Sequence, residues 1–335
     1  MKLGLYDNAF AGVPLDDMLD RAVELGLDAL EIGTGNYPIG GHLDLDLLHS
    51  SASERKAFLA KFRDRGIEIS ALSQHGNPIG PDEEFAASCH RVWRKTVELA
   101  NALEVPVVNG FSGCPGDPAG SKYPNWVTCS WPPEFAEILD WQWSEKVIPY
   151  WAVEEQFARE QGVQIGIEMH PGFVVYNTET LMRLRDATGP ALGANFDPSH
   201  LFWQGIDPVE TIRELGQAGA LFHVHAKDTY LDAGNIRRNG VLDTKSMTDI
   251  ANRAWTFRTV GYGAGDKVWR DMISMMRAVG YDSVLSIEHE DGIASLDEGL
   301  RKGAAFLRDR LYHEPPIEMW WADQKPGYVP PTVVN

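Results

Sequence analysis

The sequence predicts a (β/α)8 TIM barrel with long active-site loops and a C-terminal extension. Short, apolar, β-branched segments alternate with amphipathic segments along the chain, which is typical of a parallel sheet covered by helices. There are eight such strand candidates, the number that closes a barrel. The length of 335 residues suits one large α/β domain.

The strand candidates alternate with helix candidates along most of the chain. The strand candidates are 3–6, 29–32, 67–72, 105–109, 164–169, 192–196, 221–225 and 283–288. The helix candidates are 15–25, 54–65, 83–103, 145–161, 209–215, 268–279 and 296–311. Gly26 and Gly280 each stand between a helix candidate and the next strand, where glycine commonly ends a helix.

Two segments interrupt this alternation, and a third follows it. We expect the barrel to occupy 1–312, with insertions at 111–143 and 229–257, and an extension at 313–335. The insertion 111–143 is rich in Gly, Pro and Trp and follows the fourth strand, on the face where barrels keep their active sites. Its tryptophans would suit a sugar face or an aromatic aglycone.

Composition excludes several classes of protein. A formal net charge of -18 disfavours a nucleic-acid partner, because phosphate backbones require clustered Lys and Arg. The 3 cysteines form no C-x-x-C pair, so we expect neither a disulfide framework nor a cysteine zinc site. No apolar stretch is long enough for a membrane span, and the N-terminus lacks a signal-peptide core. We therefore expect a cytoplasmic protein with no membrane partner.

Four residues with metal-binding side chains end four successive strands of the predicted barrel: Glu168, Asp197, His225 and Glu288. The first three are about one βα unit apart, and the last follows the insertion 229–257. Polar residues at the carboxyl ends of barrel strands are typical of catalytic sites. One such carboxylate alone is often a helix cap or an ion-pair partner, but four residues with ligand side chains on consecutive strands predict a single metal site.

Three carboxylates and one imidazole form an oxygen-rich ligand set. Such a set suits a divalent cation, with Mn²⁺ expected first and Mg²⁺, Co²⁺, Fe²⁺ or Zn²⁺ as alternatives. Coordination positions not filled by the protein would remain for substrate oxygens.

Other histidines are expected around this site. Because strand side chains alternate between faces, His223 should lie deeper in the barrel than His225 and is interpreted as a core residue. His170 lies one alternation beyond Glu168 and is a candidate general base, or else a loop histidine bonded to the backbone. If a helix starts after Asp197, His200 can face the metal as a substrate contact or proton relay; the alternative interpretation is a histidine that only caps the helix.

His75 is a further candidate for substrate contact. It opens the stretch His75-Gly76-Asn77-Pro78 after the third strand. A turn without a functional role is the alternative interpretation of this stretch.

The motifs together resemble the sugar phosphate isomerase/epimerase superfamily of xylose-isomerase-like TIM barrels. The matching stretches are Ile167-Glu168-Met169-His170-Pro171, Asn195-Phe196-Asp197-Pro198-Ser199-His200, His223-Val224-His225-Ala226-Lys227-Asp228 and Ser286-Ile287-Glu288-His289-Glu290-Asp291. The resemblance implies the same four metal ligands, substrate contacts from His200 and Arg258, and proton transfer by Glu168 or Glu288.

This sequence lacks one glutamate that epimerases of the superfamily use, and the difference bears on the reaction. Epimerases of the superfamily carry an extra glutamate soon after the strand-5 ligand, whereas 172–176 here contains no carboxylate. The Trp-rich insertion also resembles the metal-binding subunit of C-glycoside deglycosidases. The resemblance to the deglycosidase subunit implies that His170 is the base that removes the proton.

These patterns predict a divalent-metal-dependent sugar isomerase or epimerase that abstracts a proton next to a carbonyl, through a metal-stabilised enediolate. One alternative is a lyase of the same chemistry, which eliminates an aglycone from a 3-oxo-glycoside or water from an inosose. Another is a non-catalytic sugar-binding barrel. We expect a sugar or glycoside substrate, and a homo-oligomer or a hetero-oligomer with a small subunit.

Overall fold

The structure is a computed structural model that describes residues 1–37, 41–317 and 319. Its ten strands are β1 Lys2–Tyr6, β2 Ala29–Asn36, β3 Glu68–His75, β4 Val107–Phe111, β5 Gln164–Glu168, β6 Leu192–Phe196, β7 Leu221–Ala226, β8 Asp228–Leu231, β9 Trp255–Arg258 and β10 Val284–Ile287. Strands β1 to β7 and β10 form a closed parallel barrel, in which β10 pairs with β7 on one side and β1 on the other. The predicted (β/α)8 barrel is confirmed.

Helices surround the barrel. They are α1 Leu15–Glu24, α2 Leu45–Ser50, α3 Ala52–Arg63, α4 Glu83–Leu103, α5 Glu134–Trp141, α6 Ile148–Glu160, α7 Thr178–Thr188, α8 Ser199–Phe202, α9 Pro208–Gln217, α10 Ala233–Asn239, α11 Asp266–Ala278 and α12 Leu296–Arg308. A π-helical turn, Gln142–Val147, joins α5 to α6. The helix preceding β5 is therefore longer than the predicted 145–161 and begins inside the insertion 111–143.

The longest helix shows how local sequence and packing agree. The Asp82 side chain accepts the Phe85 N–H at the start of α4, which satisfies one of the free backbone donors of the first turn. Trp93 on its buried face packs edge-to-face against Trp151 of α6, with ring centroids 5.3 Å apart. The Trp93 indole donates to Glu154 on α6, so these two helices are joined by both apolar and polar contacts.

The segment 229–257 forms an antiparallel hairpin, which the sequence pattern did not predict. A single residue, Lys227, separates β7 from β8, and β8 pairs with β9 in the register Thr229↔Phe257. The Thr229 hydroxyl donates to the Ser199 carbonyl oxygen at the start of α8. The hairpin is thereby attached beside the carboxyl ends of β6 and β7.

Part of the C-terminal extension 313–335 lies outside the described residues, including Trp320 and Trp321. In the part of the chain that the structure describes, no helix combines the length and apolar character needed to cross a membrane.

Candidate metal centre

The four predicted ligands meet at one end of the barrel. Glu168 is the last residue of β5, Asp197 and Glu288 directly follow β6 and β10, and His225 is the penultimate residue of β7. Each offers one ligand atom, and these atoms all lie within 4.8 Å of one another. His225 Nδ1 is 3.4 Å from Glu168 Oε2 and 3.2 Å from Glu288 Oε2.

The burial and contacts of Asp197 fit a bound cation. Asp197 is completely buried, and its Oδ1 accepts the Ser199 N–H at 2.8 Å. Its Oδ2 has no hydrogen-bond partner among the described residues. Burial raises the pKa of Asp197, and the negative charge of Glu168 adds to the effect. A buried carboxylate oxygen is costly unless something pairs with it, and a metal ion held by the four side chains would do so.

Glu168 is ionised despite its burial. Burial disfavours its charged form, but the imidazole groups of His200 and His75 and the charge of His225 outweigh it. Together they hold the pKa of Glu168 well below its usual range. Glu288 behaves similarly: burial opposes its ionisation, but Lys227 and His225 lower its pKa to about 2. The centre therefore offers anionic oxygen ligands at neutral pH.

The candidate substrate contacts His75 and His200 also lie at this centre. His200 stands in α8, which begins two residues after Asp197, and its Nε2 is 3.4 Å from both Glu168 Oε1 and Asp197 Oδ2. His75 ends β3, and its Nε2 is 3.3 Å from Glu168 Oε2. Neither Nε2 atom has a hydrogen-bond partner among the described residues. Both nitrogens are therefore available to a ligand.

His170 faces the same space and is in contact with His200, with ring centroids 4.1 Å apart. Its Nδ1 is 2.6 Å from the Pro171 carbonyl oxygen. Since a carbonyl oxygen only accepts, Nδ1 carries the proton and Nε2 carries the lone pair. Burial, assisted by the charge of His200, lowers the pKa of His170 to about 3. The imidazole is therefore neutral at neutral pH, and the lowered pKa makes it a weaker base than a free imidazole.

A cavity of about 510 Å³ opens above the centre. Its lining combines the histidines and carboxylates with an aromatic and apolar wall: Tyr37, His75, Phe111, Glu168, His170, Pro171, His200, Lys227, Met247, Trp255, Phe257, Glu288 and Glu290. The wall side chains from 247 to 257 come from the hairpin and the segment leading into it. This combination of apolar walls with a few convergent polar groups is typical of small-molecule sites.

The aromatic wall differs from the one we expected. None of Trp126, Trp131, Trp141 and Trp143 is among the described residues that line the cavity. Trp143 is fully buried, and Trp131 is exposed on the surface. The insertion 111–143 folds back onto helices instead: the Gln142 amide donates to the carbonyl oxygens of Pro115 and Gly116.

Arg258 is not brought into the site. Its guanidinium donates to the Phe257 carbonyl oxygen, lies 3.9 Å from Asp291 Oδ1, and stands over the Tyr230 ring. Because neighbouring residues of a strand face opposite sides, Phe257 points into the cavity and Arg258 points away from it. The substrate contact implied for Arg258 is therefore not supported by its position.

Lys227 lies at the site, although the sequence pattern favours a structural role for it over a substrate contact. Its ammonium group is buried, 3.2 Å from Glu288 Oε2 and 2.5 Å from Glu290 Oε2, and lies over the Phe257 ring. Burial disfavours its charge, but Glu288 and Glu290 outweigh it and hold the pKa of Lys227 well above its usual range. The position of Lys227 directly after β7, two residues beyond His225, was the signal in the sequence that could have placed it at the site.

Glu31 is a residue of the site that the sequence pattern did not identify. It lies in β2 with no solvent exposure, and His225 Nε2 is 3.0 Å from each of its carboxylate oxygens. The available signal was a charged residue inside an apolar strand, Ala29-Leu30-Glu31-Ile32.

His223 lies deeper than His225, as expected, where its Nδ1 contacts Asn195 Oδ1 at 3.0 Å.

Solved structures of several other proteins share this fold. The probable 3-DHS dehydratase AsbF of Bacillus anthracis superposes with a TM-score of 0.65 at 16% identity, covering 92% of this chain and 100% of its own. A D-tagatose 3-epimerase-like protein gives a TM-score of 0.62 at 21% identity, covering 92% and 97%. The IolI protein, solved with a bound zinc atom, gives 0.62 at 18% identity, covering 93% and 98%. At these identities the likeness concerns the fold.

Sequence comparison identifies the family. The YfiH protein of Bacillus subtilis is 40% identical over 314 residues, which cover 93% of this chain and 99% of that protein. The family model for xylose isomerase-like TIM barrels matches residues 19–310. The resemblance to the sugar phosphate isomerase/epimerase superfamily is thus confirmed, and this chain belongs to the family of xylose isomerase-like TIM barrels.

Proposed function

We propose that this protein is a divalent-metal-dependent sugar isomerase or epimerase that removes a proton next to a carbonyl group. The observation that carries the proposal is the convergence of three carboxylates and one imidazole beneath the cavity, with Asp197 Oδ2 buried and unpartnered among the described residues. A pure sugar-binding protein has no use for such a ligand set, so the non-catalytic alternative is less well supported.

Glu168, Asp197, His225 and Glu288 would hold the ion. Their donor set of mostly oxygen atoms favours Mn²⁺, and Mg²⁺, Co²⁺, Fe²⁺ or Zn²⁺ are compatible with it. When bound, a divalent ion acts as a Lewis acid that makes the carbon next to a sugar carbonyl more acidic.

The chain supplies the proton acceptor. His170 is neutral, and its Nδ1–H···O=C bond to Pro171 leaves the lone pair on Nε2. Because His170 lines the cavity and carries this lone pair, it takes the proton in our proposal. Glu168 and Glu288 are ionised and adjacent, so they are the other candidates for proton transfer. His75 and His200 are placed to hold substrate hydroxyl groups with their unpartnered Nε2 atoms.

We propose further that the substrate carries no phosphate. Among the described residues lining the cavity, Lys227 is the single lysine or arginine, and it is already paired with Glu288 and Glu290. Barrels commonly bind phosphate in a cradle of backbone N–H groups in the loops that follow the seventh and eighth strands. Here the Asp228 carboxylate accepts the N–H groups of Gly261, Gly263 and Ala264, so an internal carboxylate occupies that cradle.

The second candidate is a lyase that eliminates an aglycone or water after the same proton abstraction. The aromatic wall formed by Phe111, Trp255 and Phe257 favours it, because an apolar substituent on the sugar would pack there. The fold neighbour from Bacillus anthracis is described as a dehydratase. Both reactions use the same first step and differ in what happens after it.

Proton exchange tests the shared step. The protein is incubated with Mn²⁺ in D₂O with free ketoses, inososes and 3-oxo-glycosides, and with phosphate esters of the ketoses, and loss of the α-proton is followed by NMR. We expect exchange in at least one unphosphorylated substrate and none in the esters. Exchange without elimination favours the isomerase or epimerase, and aglycone or water release favours the lyase.

Two variants make the test specific. Glu288→Gln should abolish exchange, whereas Glu68→Gln, an exposed glutamate at the opposite end of the barrel, should leave it unchanged. If no compound in the panel exchanges, or if Glu288→Gln exchanges at the normal rate, the proposed function is wrong.

A further inference from the structure

Glu31 is a buried carboxylate that does not line the substrate cavity. It lies on β2, inside the barrel, and contacts the proposed metal ligand His225 from the side opposite the cavity. Its two oxygens accept from three further groups on three other strands. Ser73 Oγ of β3 is 2.5 Å away, Asn109 Nδ2 of β4 is 3.0 Å away, and Ser286 Oγ of β10 is 2.8 Å away. The carboxylate is therefore held in one orientation.

This contact determines which nitrogen of His225 is free. A carboxylate only accepts hydrogen bonds, so the Nε2 atom, 3.0 Å from Glu31, must carry a proton and donate it. In the neutral ring the lone pair is then on Nδ1. Nδ1 is the atom that points at Glu168 Oε2 and Glu288 Oε2, where the proposed ion would be bound.

We propose that Glu31 is a positioning residue that fixes the orientation and tautomer of His225, so that Nδ1 faces the metal centre. This inference rests on the metal centre of the proposed function. Ligand histidines generally donate their second ring N–H to a carboxylate or carbonyl group, and such partners raise the affinity of the site for its metal. The geometry assigns that role to a residue 194 positions away from His225 in the chain.

The alternative is that Glu31, His223 and His225 form a metal site of their own, since their ligand atoms also lie within 4.8 Å of one another. The hydrogen bonds argue against it. The Glu31 oxygens already accept from four side chains, and His223 contacts Asn195 through Nδ1 and Ser70 through Nε2. In contrast, the site around Asp197 contains a buried oxygen with no partner among the described residues.

Glu31→Gln tests the proposal, with Co²⁺ as the probe. The amide keeps the shape of the side chain but replaces an ionised acceptor with a neutral group, and its NH₂ could also donate to Nε2 and reverse the tautomer. We expect Co²⁺ to bind roughly 10–100-fold more weakly than to the wild type, measured by calorimetry on the full chain. The visible absorption of the bound Co²⁺ should also change, because the imidazole is held differently.

The matched control is Glu154→Gln. Glu154 is also a buried, hydrogen-bonded glutamate, but it joins α4 to α6 through Trp93 and Arg94, outside the barrel. This variant should lose stability without losing Co²⁺ affinity. If Glu31→Gln binds Co²⁺ as tightly as Glu154→Gln and with the wild-type spectrum, the proposal is overturned.

A second variant is used if Glu31→Gln does not fold. Ser73→Ala removes one donor from the Glu31 carboxylate and leaves all four ligands intact; it should weaken Co²⁺ binding by about fivefold. Unchanged affinity in that variant overturns the proposal.

The wild-type protein separates this inference from the proposed function. If the wild type binds no Co²⁺, Mn²⁺ or Zn²⁺, the metal centre of the proposed function fails together with this inference. If the wild type binds tightly and the variants bind equally well, the inference alone is overturned.

Discussion

The side chain of Asp197 shows how a single residue can be tuned for a ligand. It is completely buried, and one carboxylate oxygen has no donor among the described residues. The neighbouring carboxylates Glu168 and Glu288 repel its charge, and burial is the largest cause of its raised pKa. In the ion-free protein Asp197 therefore destabilises the fold, and in the ion-bound protein the same charge would contribute to binding.

Asp197→Asn should separate these two effects. Without metal we expect the free energy of unfolding to stay equal or to rise, because a buried charge is removed. With Mn²⁺ at 100 times its Kd, the wild type should gain about 2.7 kcal/mol and the variant almost nothing. Urea unfolding with and without Mn²⁺ measures both quantities.

The control for this prediction is Asp207→Asn, at the N-terminus of α9, where the side chain accepts the Val209 N–H. It should keep the full stabilisation by Mn²⁺. A Mn²⁺-dependent gain in Asp197→Asn equal to that of the wild type would contradict the assignment of Asp197 as a ligand.

At the scale of elements, the β8–β9 hairpin forms one wall of the cavity. Trp255 and Phe257 are two residues apart on β9, so both side chains face the cavity. Trp255 also stacks on Trp203, with ring centroids 5.0 Å apart. Phe257 lies beside His200 and beneath the Lys227 ammonium group. The hairpin therefore contributes apolar contact area to a substrate, and the barrel strands contribute the chemistry.

Phe257→Ala should weaken substrate binding and leave the metal centre intact. Losing one aromatic contact of about 1–1.5 kcal/mol predicts a rise in KM of roughly tenfold. Metal affinity should stay at the wild-type value, because Phe257 is not one of the four proposed ligands. Steady-state kinetics on the substrate found by proton exchange, together with Mn²⁺ calorimetry, checks both statements.

Tyr230→Ala is the matched control on the same hairpin, since Tyr230 is exposed and does not line the cavity. It should leave KM unchanged. Equal KM values for Phe257→Ala and the wild type would show that this wall does not contact substrate.

For the whole molecule, function depends on closing the barrel between its first and last strands. β1 pairs with β10 in the register Gly4↔Ser286, which brings Glu288 at the end of β10 into the ring of ligands. Closure is tight at Gly4, where an added Cβ would lie 2.4 Å from Val284 Cγ1. That distance is far below van der Waals contact, so the glycine is required by packing.

Gly4→Ala should therefore destabilise the protein by about 1–3 kcal/mol, through overpacking. The double variant Gly4→Ala/Val284→Ala removes the clashing Cγ1 atom and should recover part of this loss. A double-mutant cycle from urea unfolding curves measures the coupling between the two positions. If the free-energy changes of the two substitutions are strictly additive, the Cβ added at residue 4 does not clash with Val284, and this explanation is wrong.

The strand ends of the barrel were predictable because their signals are local. Each of Glu168, Asp197, His225 and Glu288 ends an apolar run, and parallel strands place their carboxyl ends at one edge. The hairpin and α5 were not predicted, because short elements within Gly-, Pro- and polar-rich segments have no clear period. The direction of the Arg258 side chain was not predictable for a similar reason, because it depends on the register of a hairpin that the pattern did not reveal.

The amino-acid sequence by itself determined the (β/α)8 barrel, the family and the four residues that end its strands, since strand periodicity and order along the chain express all of these. Only the tertiary structure decided the environment of those residues. It placed Glu31 against His225, paired Lys227 with Glu288, filled the loop cradle with Asp228 and turned Arg258 away from the cavity. These contacts join distant parts of the chain, so they depend on closure and register of the barrel, which no local pattern specifies.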